Sequence, residues 1–171
     1  RLAEAKDALA NGDASLAKGL ADSIVREVRE TKDAMQEVQR ALRQKKQITA
    51  GFSSGGDAGV WQQRLSEIEM SAENGEWKQA SELLSILTVD LQGYHSEYKE
   101  AEELLNFVQD EWTTLRRRLN STSIGPDDEN RRATEKTVEA ANKSLDSGDI
   151  QACLTALGKA DELLENLRRR V

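Results

Sequence analysis

The sequence predicts an all-α chain of elongated tandem three-helix bundles that share one long continuous helix, with antiparallel coiled-coil packing. Three observations lead there. Between Trp77 and Leu119, every position reached by alternating steps of three and four is apolar or aromatic: Trp77, Ala80, Leu84, Leu87, Leu91, Tyr94, Tyr98, Ala101, Leu105, Val108, Trp112, Leu115 and Leu119. A period of 3.5 is the a/d seam of a helix laid lengthwise against other helices, and no proline interrupts it. At about 1.5 Å per residue this makes a rod roughly 65 Å long, more than one compact domain accommodates. Second, a turn of one kind recurs at Gly12, Gly75 and Gly148, each glycine followed by an acidic residue. Third, 32 % of residues are charged, 37 % are hydrophobic and one is proline, a composition suited to thin bundles with much surface.

The elements follow in order. Leu2 to Ala10 reads as a helix already under way, and the chain begins with Arg1 rather than Met, so a fragment or processed form is expected. Asn11-Gly12-Asp13 stops that helix and starts the next: glycine takes the left-handed position past the helix end, and Asp13 caps the free amides that follow. The second helix carries Ala17, Ala21, Ile24, Val28, Thr31, Met35, Val38 and Leu42 on one face and is expected to end near Gln47, after Arg43, Lys45 and Lys46. Thr49 to Gly59 reads as a Gly/Ser loop with Asp57 as the next N-cap, followed by a short helix with Trp61, Leu65, Ile68 and Ala72 on one face. Asn74-Gly75-Glu76 leads into the long helix, which closes after Arg116, Arg117 and Arg118. Pro126 is expected in the first turn of the next helix, with Asp127, Asp128 and Glu129 at its positive end. Thr134, Val138, Ala141 and Leu145 form that helix's thin stripe. After Ser147-Gly148-Asp149, the last helix reads Ile150, Cys153, Leu157, Ala160, Leu164, Leu167 and Val171 in the same steps.

The three turns lie 63 residues (12 to 75) and 73 residues (75 to 148) apart, with a looser loop in each interval. Tight turn, long helix, loose loop and short helix recur in that order, which is the punctuation of an internal repeat. A short helix covers only half of a long one, so each long helix is expected to close one bundle and open the next. Leu83 and Ile86 widen the seam of the long helix near its start, Leu104 and Phe107 near its end, while Asp90 and Glu97 flank Gly93 between them. The expected division is residues 1–31 as the remnant of a preceding helical unit, 32–93 as a first three-helix bundle and 94–171 as a second. In architecture this resembles the plan of spectrin-like arrays, where the last helix of one bundle runs on into the next; the repeat here is shorter. The glycine turns are also similar to those of helical-hairpin repeats such as tetratricopeptide units, but that 34-residue period and its consensus are missing.

Chemistry is sparse. His95 is the one histidine, beside the seam, and reads as a partly packed linker residue rather than an acid–base group. Cys153 falls on a seam with no base near it in sequence, as a small core residue would. No Glu-x-x-His pair offers a bundle metal site, and GFSSGGDAG lacks the Lys-Ser/Thr of a phosphate loop. No catalytic, cofactor-binding or metal residue is therefore assigned, and the chain is expected not to be an enzyme. The basic clusters Arg116–Arg118 and Arg168–Arg170 close helices, as the dipole favours, and Arg131-Arg132 is short. With a net charge of −7, nucleic acid is not the expected partner. Asn120-Ser-Thr is a formal glycosylation sequon with no sign of secretion beside it. Trp61, Trp77 and Trp112 lie on seams; Phe52, in a polar loop, either caps a bundle end or anchors a partner, and the cap is favoured. A single cysteine makes no internal disulfide, and no membrane span or signal peptide is present, so the cytoplasm is the simplest expectation. The expected function is a non-enzymatic helical-repeat segment, a structural spacer or protein–protein interaction scaffold within a longer protein. The alternatives are self-association through the seams and reversible contact of amphipathic helices with a membrane surface.

Overall fold

The computed structural model describes residues 1–52 and 58–171. Among them all regular structure is helical: α1 (Leu2–Ala10), α2 (Ala14–Arg43), α3 (Lys45–Ala50), α4 (Ala58–Glu73), α5 (Trp77–Leu119), α6 (Glu129–Asp146) and α7 (Ile150–Arg170). Three tight turns, between α1 and α2, α4 and α5, and α6 and α7, have one geometry. Gly12, Gly75 and Gly148 hold φ of 78°, 74° and 81°, the left-handed region open to glycine. The amide after each glycine bonds back across the helix end, Asp13 to Ala8 O at 2.9 Å, Glu76 to Ser71 O at 2.8 Å and Asp149 to Ser144 O at 2.9 Å. The glycine amides bond Leu9, Ala72 and Leu145 O, completing the Schellman pattern that satisfies the last carbonyls of a helix. The next helix then starts without a spacer. Asp13 and Asp149 each accept the amide three residues on, Leu16 N and Ala152 N, at 3.0 Å.

The contacts divide the chain into two units, residues Arg1–Ala50 with Gln62–Thr88, and Gly51–Trp61 with Val89–Val171. α5 contributes to both, helical throughout. Along its stripe Trp77, Tyr94 and Tyr98 are half-buried and every other position is buried.

In the second unit, the later part of α5 shares one core with α6 and α7. Leu105, Val108, Trp112, Leu115 and Leu119 meet Val138, Ala141 and Leu145 of α6 and Cys153, Leu157, Leu164 and Leu167 of α7. Glu111 of α5 pairs with Arg168, and the Tyr94 hydroxyl donates to Gly148 O at 3.4 Å. α5 and α7 therefore run parallel, with α6 antiparallel to both, as the pairs Arg116–Glu135 (3.1 Å) and Arg170–Asp128 (2.7 Å) require. Pro126 does not enter the helix. Residues 125–128 form a turn, Asp128 N bonding Gly125 O at 3.0 Å, and Asp128 is the N-cap, accepting from Asn130 N and Arg131 N at 3.1 Å. That carboxylate reaches two orphan amides at once, a stronger start than proline at the first helical position provides. Ile124 fills the loop beneath it, and buried Arg131 donates to Ile124 O at 3.1 Å and Asn120 Oδ1 at 2.7 Å, fastening the α5–α6 connection. Phe52 is buried, as a cap would be and an exposed anchor would not.

In the first unit, α1 and α2 form a hairpin in which Ala5, Ala8 and Ala17 are buried and Arg1 pairs with Glu27. The later part of α2 lies along the α4–α5 hairpin: Lys78 meets Glu30 at 3.4 Å and Ser81 donates to Glu37 at 3.1 Å, so α2 and α5 are parallel here too. Ala34 and Val38 are buried, as are Leu65, Ile68 and Ala72 of α4 and Ala80, Leu84 and Leu87 of α5. α2 stops at Arg43, short of Gln47, where Gln44 N forks between Arg40 O and Ala41 O and its backbone opens to φ −100°, ψ 28°. The chain then resumes as α3, because no glycine or proline intervenes before Gly51; Thr49 and Ala50 are helical rather than loop. Lys45 reaches Glu69 of α4 at 2.7 Å. The expected cap Asp57 lies outside the described residues.

The widened seam of α5 is corrected. Ile86, Leu104 and Phe107 are exposed, and Leu83 is half-buried. Each of the three exposed residues immediately precedes a seam residue, which turns it about 100° round the helix, beyond the reach of two neighbouring helices.

Two tests address these features. Gly75→Ala forces a left-handed alanine and should cost about 1–2 kcal/mol in urea unfolding. At Gly93, inside α5, an added Cβ meets nothing within 4 Å, so Gly93→Ala should stabilise by about 1 kcal/mol. The second test concerns Asp128, whose carboxyl the Arg170 guanidinium and then the Arg131 and Asn130 amides hold below the usual carboxylate range, against a smaller desolvation. A lowered folded pKa adds stability above the ordinary carboxylate value and loses it as the pH falls through the folded one. Asp128→Asn keeps a capping oxygen and drops the charge, so its melting temperature should fall less steeply below about pH 4 than that of the parent.

Candidate functional site

Those of the described residues that would carry chemistry do not converge. Among the described residues no cluster of His, Cys, Asp or Glu could hold a metal ion. Cys153 is buried in the α5–α6–α7 core, and desolvation pushes its thiol up, so the nucleophilic thiolate is disfavoured there. His95 is exposed, its ring 6.0 Å from that of Tyr94 and edge-on to it. Tyr94 also meets Trp61 edge-on at 5.9 Å and lies 6.3 Å from Tyr98. Burial, and then Glu102 and Asp146, raise the Tyr98 phenol. This aromatic group borders an open cleft of about 560 Å³ at the α6–α7 turn, lined by Glu97, Ser147, Asp149 and Gln151 among others. The basic clusters are largely committed to partners within the second unit: Arg116 to Glu135, Arg132 to Asp127, Arg168 to Glu111 and Glu165, Arg169 to Glu165 and Arg170 to Asp128. No described helix is long and apolar enough to cross a membrane.

What remains is a surface, set by the shared register of the three glycine turns. Counting from the glycine, the position ten residues before it holds Leu2, Leu65 and Val138, and three before it Leu9, Ala72 and Leu145. Nine after it come Ala21, Leu84 and Leu157, and sixteen after it Val28, Leu91 and Leu164. In the α4–α5 and α6–α7 hairpins all eight of these residues are buried. In the α1–α2 hairpin all four are exposed, Leu2 to 61 %, Leu9 to 66 % and Val28 to 63 %. Ala5 and Ala17, the positions that face across the hairpin itself, are buried in all three copies, as Ile68, Ala80, Ala141 and Cys153 also are. The hairpin is thus formed, and the side that the other two cover is open. No protein-family model, curated protein or solved structure matches the chain.

The open side continues into an apolar groove of about 370 Å³ between α2 and the start of α5, lined by Ile24, Val28, Thr31, Met35 and Trp77. The periodicity of the sequence marks these residues as a seam, but periodicity says which side is apolar and is silent on whether anything lies against it. The turn register exposes the difference. Leu145→Ala should cost about 2–5 kcal/mol in urea unfolding, as buried leucine truncations do. Leu9→Ala, at the same place in the repeat, should change stability by no more than about 0.5 kcal/mol.

Proposed function

We propose that the chain is a non-enzymatic helical-repeat scaffold, a spacer and protein-interaction segment. Its plan is that of spectrin-like tandem bundles, with residues 1–31, 32–93 and 94–171 as successive units. The observation that supports this best is α5. One uninterrupted helix gives its first part to one contact unit and its later part to the other. The repeated relation around it adds support: a hairpin closed by a Schellman turn, with the later part of the preceding long helix running parallel to its second arm. Burial in such a chain goes to seams and leaves few side chains convergent enough for chemistry. Self-association is the second reading, favoured by the exposed Leu2, Leu9 and Val28. The partners on either reading are protein helices.

A spacer transmits position only if the shared helix holds through the junction. Amide hydrogen exchange of residues 88–95 should be slowed at least about a hundredfold relative to unstructured chain, in step with the flanking turns. Exchange near the unstructured rate over those residues would mean that α5 opens between the units, and the spacer reading would be abandoned.

A further inference from the structure

We infer that the open side of the α1–α2 hairpin is a docking site for one amphipathic α-helix of another polypeptide segment, lying parallel to α2 and carrying large apolar side chains at three–four spacing.

The repeat supplies the occupant. Both covered hairpins are closed by one helix and in one sense: α2 runs parallel to the first part of α5, and the later part of α5 runs parallel to α7. The four register positions are buried in each, Leu65, Ala72, Leu84 and Leu91, and Val138, Leu145, Leu157 and Leu164. Their equivalents Leu2, Leu9, Ala21 and Val28 keep apolar character without the cover. A second copy of the chain fits less well, because its long helices are already engaged along their covering parts: Ala34 and Val38 of α2 and Leu105 to Leu119 of α5 are buried. It could offer only a hairpin against a hairpin.

Side-chain size specifies the occupant further. On α2 the seam is reduced relative to its counterparts, with Ala21 where leucine stands in both others, Val28 where leucine stands, and Thr31 where Tyr94 and Leu167 stand. A smaller lining leaves a deeper trough, and close packing requires that larger side chains fill it. Leucine and aromatic residues meet that requirement; Tyr98 of α5, packed against the core of the second unit close to Cys153, is one such residue. The groove at Ile24, Val28, Met35 and Trp77 receives the end of the helix farther from the turn.

This inference rests on the scaffold reading and sharpens it. The probe is a synthetic peptide of residues 94–120, the segment that covers the α6–α7 hairpin, added to the full chain carrying labelled Leu and Val methyls. Micromolar to submillimolar binding is expected to shift the methyls of Leu2, Leu9 and Val28. A nitroxide on the peptide N-terminus should broaden Leu9, near the turn, more than Val28, because the Tyr94 end of α5 lies by the Gly148 turn. Leu9→Asp combined with Val28→Asp should weaken binding at least tenfold and leave the circular dichroism melt unchanged, since both residues are exposed. Four results would overturn the inference: no shift at millimolar peptide, shifts at Leu145 and Leu164 instead, stronger broadening at Val28, or the same shifts produced by concentrating the chain alone. The last would make a second copy the occupant. None of the four alters the exchange behaviour of α5, so failure here is distinguishable from failure of the spacer reading.

Discussion

A left-handed glycine between two helices is the constraint on which the rest depends. An α-helix leaves four carbonyls unbonded at one end and four amides at the other, and a hairpin of two helices must satisfy both sets in a few residues. Gly12, Gly75 and Gly148 do this by reversing the chain at φ near 80°, so that the following amide reaches back to the carbonyl five residues earlier. The acidic residue that makes this bond already begins the next helix. Because no residue is spare, the two helices leave the turn antiparallel and in fixed register. Positions ten and three before the glycine, and five, nine, twelve and sixteen after it, fall on one side in all three copies.

Fixed register explains why so little sequence identity suffices. Ala, Ile, Leu, Val and Cys exchange freely between equivalent positions, and only their size must suit the neighbour. Trp112, Ala141 and Cys153 differ widely in size and are all members of the one buried core of the second unit. The looser α5–α6 connection lacks the glycine device and is fastened by polar contacts instead. Asp128 caps α6 and takes Arg170 from the far end of α7, while Arg131 turns back to Ile124 O and Asn120. Two kinds of connection thus serve the second unit, one made by backbone geometry at the α6–α7 turn and one by charged side chains between α5 and α6.

The backbone device is legible in the sequence, because glycine takes the left-handed conformation without a Cβ penalty and a capping aspartate follows it at Asp13 and Asp149. The extent of α5 was legible for a related reason: a seam without proline or a second glycine stop has nowhere to end before Leu119. The side-chain devices were not. Arg131 looked like half of a basic pair, and nothing in local spacing tells a charged residue to fold under a loop. Proline suits the first turn of a helix, which is what Pro126 suggests, yet the nearby Asp128 reaches two amides and sets the helix start. The fork at Gln44 carries no breaker residue, so periodicity ran through it. Ile86, Leu104 and Phe107 are exposed although they adjoin the seam, since being apolar beside a seam does not turn a side chain toward it.

The first hairpin shows the same limit in its most informative form. Exposed apolar residues are ordinary on a protein surface and singly mean little. Leu2, Leu9 and Val28 differ because their positions were defined by burial elsewhere in the chain, before their own exposure was considered. Ala5 and Ala17 are buried where α1 meets α2 and keep that contact close. A hairpin meant to face water could exchange its outer leucines and valine for polar residues without touching that contact. Their place in the register, beside the groove at Ile24, Val28, Met35 and Trp77, is what a surface shaped for a third helix would carry.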